Sequence, residues 1–159
     1  MNTTTLNFDQ FVPATIENVW NFFSNPENLG LITPPSMNFR IISDWNENVK
    51  MFEGQEISYT VSPLFHIPLK WITVITKVER NKLFVDEQKS GPYKLWVHQH
   101  VFEEVENGVV MRDILTYAIP FGLIGTLIDK LIVYKKVNDI FFYRKNKIDE
   151  IFKQPAEII

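Results

Sequence analysis

The chain has 159 residues, of which 45% are hydrophobic, 22% charged and 14% aromatic, with 13 Phe. That length suits one domain with a sizeable core, taken as residues 1–159, and the composition argues against disorder. A net charge of -3 gives no general pull toward nucleic acid or anionic lipid, and the lack of Cys excludes a disulfide framework, a thiolate zinc site and a Cys nucleophile.

The start, Met1-Asn2-Thr3-Thr4-Thr5, has neither the basic nor the apolar part of a secretory signal. No apolar run approaches the ~18 residues of a bilayer span, so the expectation is a cytoplasmic protein without stable membrane insertion. Thr4 to Val12 reads as a strand around Leu6, Phe8 and Phe11, with a break near Gln10, and Pro13 stops it. Thr15 can cap a helix over Ile16 to Ser24 whose stripe is Ile16, Val19, Trp20 and Phe23. Asn25-Pro26-Glu27 starts a second short helix, which ends before Thr33-Pro34-Pro35.

Phe39 to Ser43 reads as a short strand and Asp44 to Glu53 as a loop, with Trp45, Met51 and Phe52 unusual in it. Gly54 to Val61 alternates through Ile57, Tyr59 and Val61. Ser62 to Pro68, with His66, reads as a loop or an entrance lid. Leu69 to Val78 puts Leu69, Trp71, Thr73 and Ile75 on one face. Asn107-Gly108 is a strong hairpin signal leading into Val109 to Ile119, with Asp113 and Tyr117 on one face. After Pro120-Phe121-Gly122 a helix of ~45 Å runs from about Leu123 to Lys153, at 1.5 Å per residue. Its stripe is Ile124, Leu127, Leu131, Tyr134, Val137, Phe141 and Ile148.

The stretch Phe84 to Phe102 carries the chemistry. It reads as two strands about a turn at Ser90-Gly91-Pro92. Trp96, His98, His100 and Phe102 recur at spacing two, so they share a face. Asp86 and Gln88 share a face of the other arm. They join the histidines in one register and oppose them in a register one residue away. The expectation is that the Trp96 face points inward, because the other face carries Gln99 and Glu103 and the next strand offers Asp113 and Tyr117 as partners.

The order of strand, two short helices, about six antiparallel strands and a long helix is an α+β pattern. A strongly curved antiparallel sheet wrapped round the terminal helix buries these faces. Where sheet and helix diverge, a cavity for an apolar ligand remains. Its expected wall includes Tyr59, Trp71, Gln88, Trp96, His98, His100, Phe102, Asp113, Tyr117, Leu127 and Leu131, with Trp45 as a further aromatic. Two histidines with Asp86 or Asp113 could chelate a transition metal. The expectation is none, and no other cofactor, because no third ligand appears at a diagnostic spacing.

Certain motifs carry a family likeness: Val19-Trp20-Asn21-Phe22-Phe23, Asn25-Pro26, Ile32-Thr33-Pro34, Asp86-Glu87-Gln88, Gly91-Pro92-Tyr93, Trp96-x-His98-x-His100-x-Phe102, Asp113, Tyr117 and Pro120-Phe121-Gly122. With the element order, they resemble the helix-grip superfamily. That group includes START lipid-transfer domains, polyketide cyclases and dehydrases, coenzyme Q-binding proteins and the birch-pollen-allergen group. The nearest likeness is to bacterial SRPBCC proteins of unassigned ligand. The resemblance implies a helix-grip fold that binds a hydrophobic or amphipathic small molecule such as a lipid, polyketide or isoprenoid. It also implies two rivals. One is a cyclase or dehydrase in which His98 takes a proton and Asp86 or Asp113 orients it. The other is a chaperone-activator-like interaction module that uses a surface. The fold hosts binders and enzymes alike, and the sequence carries no signal of oligomeric state.

Overall fold

The structure is a computed structural model, and it describes residues 2–44, 46, 49–63 and 67–153, with the side chains of 123, 124 and 126 left aside. The remarks above on Trp45, His66, the middle of the 62–68 loop and the Ile124 side chain therefore lie outside the described residues.

Seven strands form one antiparallel sheet in the order β1-β7-β6-β5-β4-β3-β2. They are β1 (Thr4–Val12), β2 (Arg40–Ile41), β3 (Glu56–Val61), β4 (Leu69–Glu79), β5 (Leu83–Ser90), β6 (Leu95–Val105) and β7 (Gly108–Ala118). Helix α1 (Ile16–Phe23) and two 3-10 turns, Pro26–Gly30 and Pro35–Met37, sit between β1 and β2. Two α-helical segments, α2 (Gly122–Ile128) and α3 (Tyr134–Ile151), close the chain and are joined by a π turn over Asp129–Val133. The α+β architecture is the expected one, a curved antiparallel sheet with a C-terminal helix.

Local chemistry explains the boundaries. Thr15 caps α1, its hydroxyl accepting from the Asn18 N–H, and Asn25 caps the next turn through the Glu27 N–H. In β1 the alternation does not break at Gln10. Gln10 faces the helix and donates to the Lys145 carbonyl at 2.9 Å and to Asp149 at 2.7 Å, while Phe11 is the exposed residue. The β6–β7 loop is also displaced by one residue from its sequence signal. Val105 pairs with Gly108, so Glu106-Asn107 forms the turn, with Asn107 at φ 64, and Gly108 already belongs to β7. The 39–43 strand shrinks to Arg40–Ile41.

The C-terminal helix departs most from its expected stripe. The π turn adds a residue to one turn and rotates the faces on either side of it. Beyond it Val133, Val137, Phe141 and Ile148 are buried, as expected for the last three. Before and within it Leu127 is 59% and Leu131 68% exposed, and Tyr134 follows at 47%. Gly125 sits where a Cβ would lie 2.0 Å from the Pro120 carbonyl oxygen, so only glycine lets α2 pass this close to the end of β7. The π turn is anchored by Asp129, whose carboxylate accepts from Tyr117 Oη and Thr4 Oγ1, each at 2.8 Å.

Three apolar clusters fill the space between sheet and helices. One joins α1 to the sheet through Trp20, whose ring meets Phe84 and Phe102 edge-on at 6.0 and 5.7 Å. A second joins α3 to β1 and β7 through Phe141, stacked on Phe8 at 4.1 Å. The third gathers Met37, Val61 and Trp71. The helix-side face of β5 and β6 lies among them.

Candidate functional site

The β5–β6 register pairs Asp86 with His98, and the β6–β7 register pairs His100 with Asp113. Directly opposed residues share a face, so two carboxylates and two imidazoles meet on the helix side of the sheet. They form a closed ring. His98 Nε2 is 2.8 Å from Asp113 Oδ1, His100 Nε2 is 2.8 Å from Asp86 Oδ2, and His98 Nδ1 is 3.6 Å from the same Asp86 oxygen. His100 Nδ1 lies 3.0 Å from Asp113 Oδ1 but off the line of a good hydrogen bond, so this fourth side acts chiefly through charge. His98, His100 and Asp113 are buried, and Asp86 is nearly so.

Burial alone would raise both carboxyl pKa values and lower both imidazole values. For Asp86 and Asp113 the hydrogen bonds and charges of the histidines outweigh burial, and both carboxyls are held below their usual range. His98 is pushed down, first by burial and then by the charge of its neighbour His100. His100 is raised, because carboxylates flank both its ring nitrogens and together overcome burial. The shifts favour two ionised carboxylates, with His100 the more readily protonated of the two imidazoles.

This assignment predicts a pH signature. His100 titrates higher in the folded chain than in the unfolded one, near 6.5. Its stabilisation is complete below about pH 6 and is lost as pH rises through the folded value. The depressed carboxylates contribute fully above about pH 5 and lose their contribution as pH falls through their folded values. His98, lowered, contributes fully above about pH 7.5 and loses its part as pH falls from there. His100→Gln should therefore cost most near pH 5.5, about 3 kcal/mol, and clearly less at pH 9. Thermal unfolding of both proteins across that range checks it. An equal loss at pH 5.5 and pH 9 would mean that His100 is not the charged member.

Beside the ring lies a cavity of about 130 Å³. Its apolar wall includes Phe22, Phe23, Leu29, Ile32, Ile57, Ile75, Phe84 and Trp96, and its polar lining includes Asp86, His98, His100, Tyr59 and Arg144. The volume is on the scale of one small ring, as in engineered protein cavities that bind benzene. Lipid- or isoprenoid-sized molecules exceed that volume.

The expected wall residues fall into four places. Tyr59, Trp96, His98 and His100 line the cavity, and Asp113 stands behind the imidazoles. Phe102, Tyr117 and Trp71 are buried in the flanking clusters, one in each. Gln88 clamps the 90–92 turn, donating to the Tyr93 carbonyl at 2.7 Å and accepting from its N–H at 3.2 Å. A Cβ on Gly91 would lie 2.3 Å from the Gln88 amide oxygen, so a larger residue there would have to displace that clamp. Leu127 and Leu131 are not brought to the cavity, because the π turn leaves both exposed.

Arg144 was not foreseen. It is 8% exposed, its guanidinium lies 4.9 Å from the Phe141 ring centre, and its charge reaches Asp86 and Tyr59. Burial drives the Tyr59 phenol well above its usual pKa, so it stays protonated and shares a hydrogen bond with Thr73 at 3.1 Å. A signal for Arg144 was present. The α3 stripe runs Val137, Phe141, then Ile148, and a charged residue occupies the position between the last two where an apolar one belongs.

Asp86, His98 and His100 offer one ligand atom each within 4.8 Å of one another. Two imidazoles and a carboxylate are a donor set for zinc, manganese or iron. The expectation of no metal rested on the lack of a third ligand at a set spacing, and strand pairing supplies one that spacing along the chain does not reveal. A metal at this place would first have to displace the proton that two carboxylates hold on His100.

No protein family and no curated protein sequence matches the chain. Solved structures do. A START superfamily protein from Mycobacterium smegmatis is 11% identical with a TM-score of 0.67, covering 92% of this chain and 98% of that one. The ginseng major latex-like protein 151 from Panax ginseng is 9% identical with a TM-score of 0.64, covering 96% and 99%. Protein CV1439 from Chromobacterium violaceum is 7% identical with a TM-score of 0.72, covering 95% and 98%. The chain has the helix-grip fold. In this helix-grip domain the ring of acids and histidines faces α3 through Phe141, and the cavity lies to one side, between the sheet and the 22–32 segment, with Arg144 as its lining residue from α3. Among the described residues no helix is long and apolar enough to cross a membrane.

Proposed function

We propose that this protein binds a small hydrophobic or amphipathic molecule in the cavity between the sheet and the 22–32 segment, where the C-terminal helix, expected to form the other wall, contributes Arg144. One observation carries the reading: a mostly apolar hollow whose lining includes His98, His100, Asp86 and Arg144. A few convergent polar groups on an apolar wall are what a small-molecule site requires. A filled interior would favour the surface-module reading. The cavity size supports a compact ligand, or one compact group of a larger lipid, polyketide or isoprenoid. A cytoplasmic home and the absence of nucleic-acid partners remain part of the proposal.

Toluene titration, followed by Trp fluorescence and thermal shift, tests it. Binding is expected in the wild type. His98→Ala and His100→Ala should each weaken it about tenfold, through lost wall contacts worth roughly 1.4 kcal/mol, beyond any effect of lowered stability. Gln99→Ala, on the other face of β6, should not change it. Binding that is unaltered in both histidine variants would remove the cavity assignment. Native mass spectrometry of untagged protein, with solvent extraction, would reveal a co-purifying ligand, and no stoichiometric metal is expected in the same spectra.

A second reading has its own support. Asp113 holds the Nε2 side of a neutral His98 at 2.8 Å and leaves Nδ1 as the freer nitrogen beside the cavity. That is a general base with its orienting carboxylate. It suits proton abstraction in a cyclase or dehydrase without metal.

A further inference from the structure

The stretch from Phe121 through the π turn into α3 has an inner and an outer side. Asp129, Val133 and Val137 recur at spacing four and turn inward. Asp129 is held by Tyr117 and Thr4, and both valines are buried. Two apolar rows of the same spacing lie outside. Leu127 and Leu131 form one, Ile128 and Ile132 the other, and all four side chains are exposed. Ahead of them stands Phe121, 78% exposed and at φ 74. A positive φ is an outlier for so bulky a residue, so the backbone carries strain while the ring stands in water. Apolar side chains gathered on a surface in this way mark a contact with something else.

The charges around the face say what that is. Each row runs on, at the next spacing of four, into a lysine: Lys135 after Leu131 and Lys136 after Ile132. Lys130 flanks them, and with Lys94 it lines an open hollow of about 800 Å³ against the same segment. The nearby acids are already engaged, Asp129 as above and Asp139 with Lys135 at 2.9 Å. The whole chain carries -3, yet from Pro120 to Val137 a single acid, Asp129, stands against Lys130, Lys135 and Lys136. Apolar side chains bordered by lysines match the boundary of an anionic bilayer, where the former enter beneath the headgroups and the latter reach phosphate oxygens. A second copy of the chain matches less well, because a two-fold contact through this face would set like lysines against one another.

We propose that the face made by Phe121, Leu127, Ile128, Leu131 and Ile132 is a peripheral docking surface for anionic phospholipid membranes. It shares no residue with the lining of the cavity, so either can fail alone.

Flotation with vesicles tests it, one set of phosphatidylcholine alone and one of about three parts phosphatidylcholine to one part phosphatidylglycerol. The wild type should float with the anionic set, much less with the neutral one, and binding should weaken between about 0.1 and 0.5 M salt. Leu127→Ser combined with Leu131→Ser should lower binding about tenfold. Lys130→Gln combined with Lys136→Gln should lower it about twentyfold, at roughly fivefold per lysine. Thermal unfolding checks that each pair keeps the fold, and if one pair loses it the other decides. No binding to the anionic vesicles, equal binding to both sets, or binding that the folded variants retain overturns the proposal. So does a dimer in sedimentation that the serine pair dissolves while vesicles stay unbound, since the face is then a contact between copies.

Discussion

Asp113→Ala is expected to lower the unfolding free energy by about 3–5 kcal/mol, the cost of breaking a buried charge pair, and the melting temperature by roughly 10 °C. Asp113 faces both imidazoles, at 2.8 and 3.0 Å, and lies in the middle of β7. Alanine would leave the buried imidazolium with one carboxylate where it had two, and His98 Nε2 without an acceptor. Asp113→Asn keeps the shape and one acceptor while removing the charge, so its loss should be smaller, about 1–3 kcal/mol. Urea unfolding at pH 7 measures both. A loss below about 1 kcal/mol for alanine would mean that water already screens the ring.

Phe141→Ala is the second large effect, about 3–5 kcal/mol for deleting a buried aromatic side chain. Phe141 is 5% exposed and stacks on Phe8 at 4.1 Å. It also meets His98 edge-on at 5.4 Å and carries the Arg144 guanidinium 4.9 Å from its ring centre. Phe141→Leu keeps most of the volume and loses the ring geometry, so about 1 kcal/mol is expected from the aromatic contacts alone. The two variants should part in binding as well. With leucine the arginine keeps an apolar support, and toluene should still bind. With alanine the arginine loses its platform, and toluene binding should fall with the stability. Equal stability of the two variants would show that the pocket around Phe141 collapses to fill the gap.

Much of the site was legible because strands expose a period of two. Trp96, His98, His100 and Phe102 share a face, and Asp113 and Tyr117 continue it on the next strand, as alternation implies. Whether Asp86 joined them hung on register, which one residue of slip reverses, and only the pairing of Asp86 with His98 decides it. Periodicity assigns a face but does not say which member of it touches a void. Phe102 and Tyr117 share that face yet pack into solid clusters. The helix was harder. A stripe drawn at 3.6 residues per turn assumes a uniform helix, and the π turn at Asp129–Val133 invalidates it for Leu127 and Leu131. Arg144 was passed over because charged side chains are almost never buried without a partner, a rule that holds until a site needs the exception.

The place of β1 in the sheet has a kinetic side. Thr5 pairs with Thr116, 111 residues along the chain, and Thr4 reaches Asp129 across 125. The other strand neighbours are joined by hairpins or shorter loops, so β2 to β7 can zip in order while β1 waits. Closing so long a loop is paid for before its contacts form, which puts such topologies among the slower folders, in the millisecond-to-second range. On the ribosome the first strand to emerge is the last to find its place. Phe8 sits opposite Asp113, so the docking of β1 adds apolar cover beside the acid-histidine ring, which Phe84 and Phe141 already flank from β5 and α3.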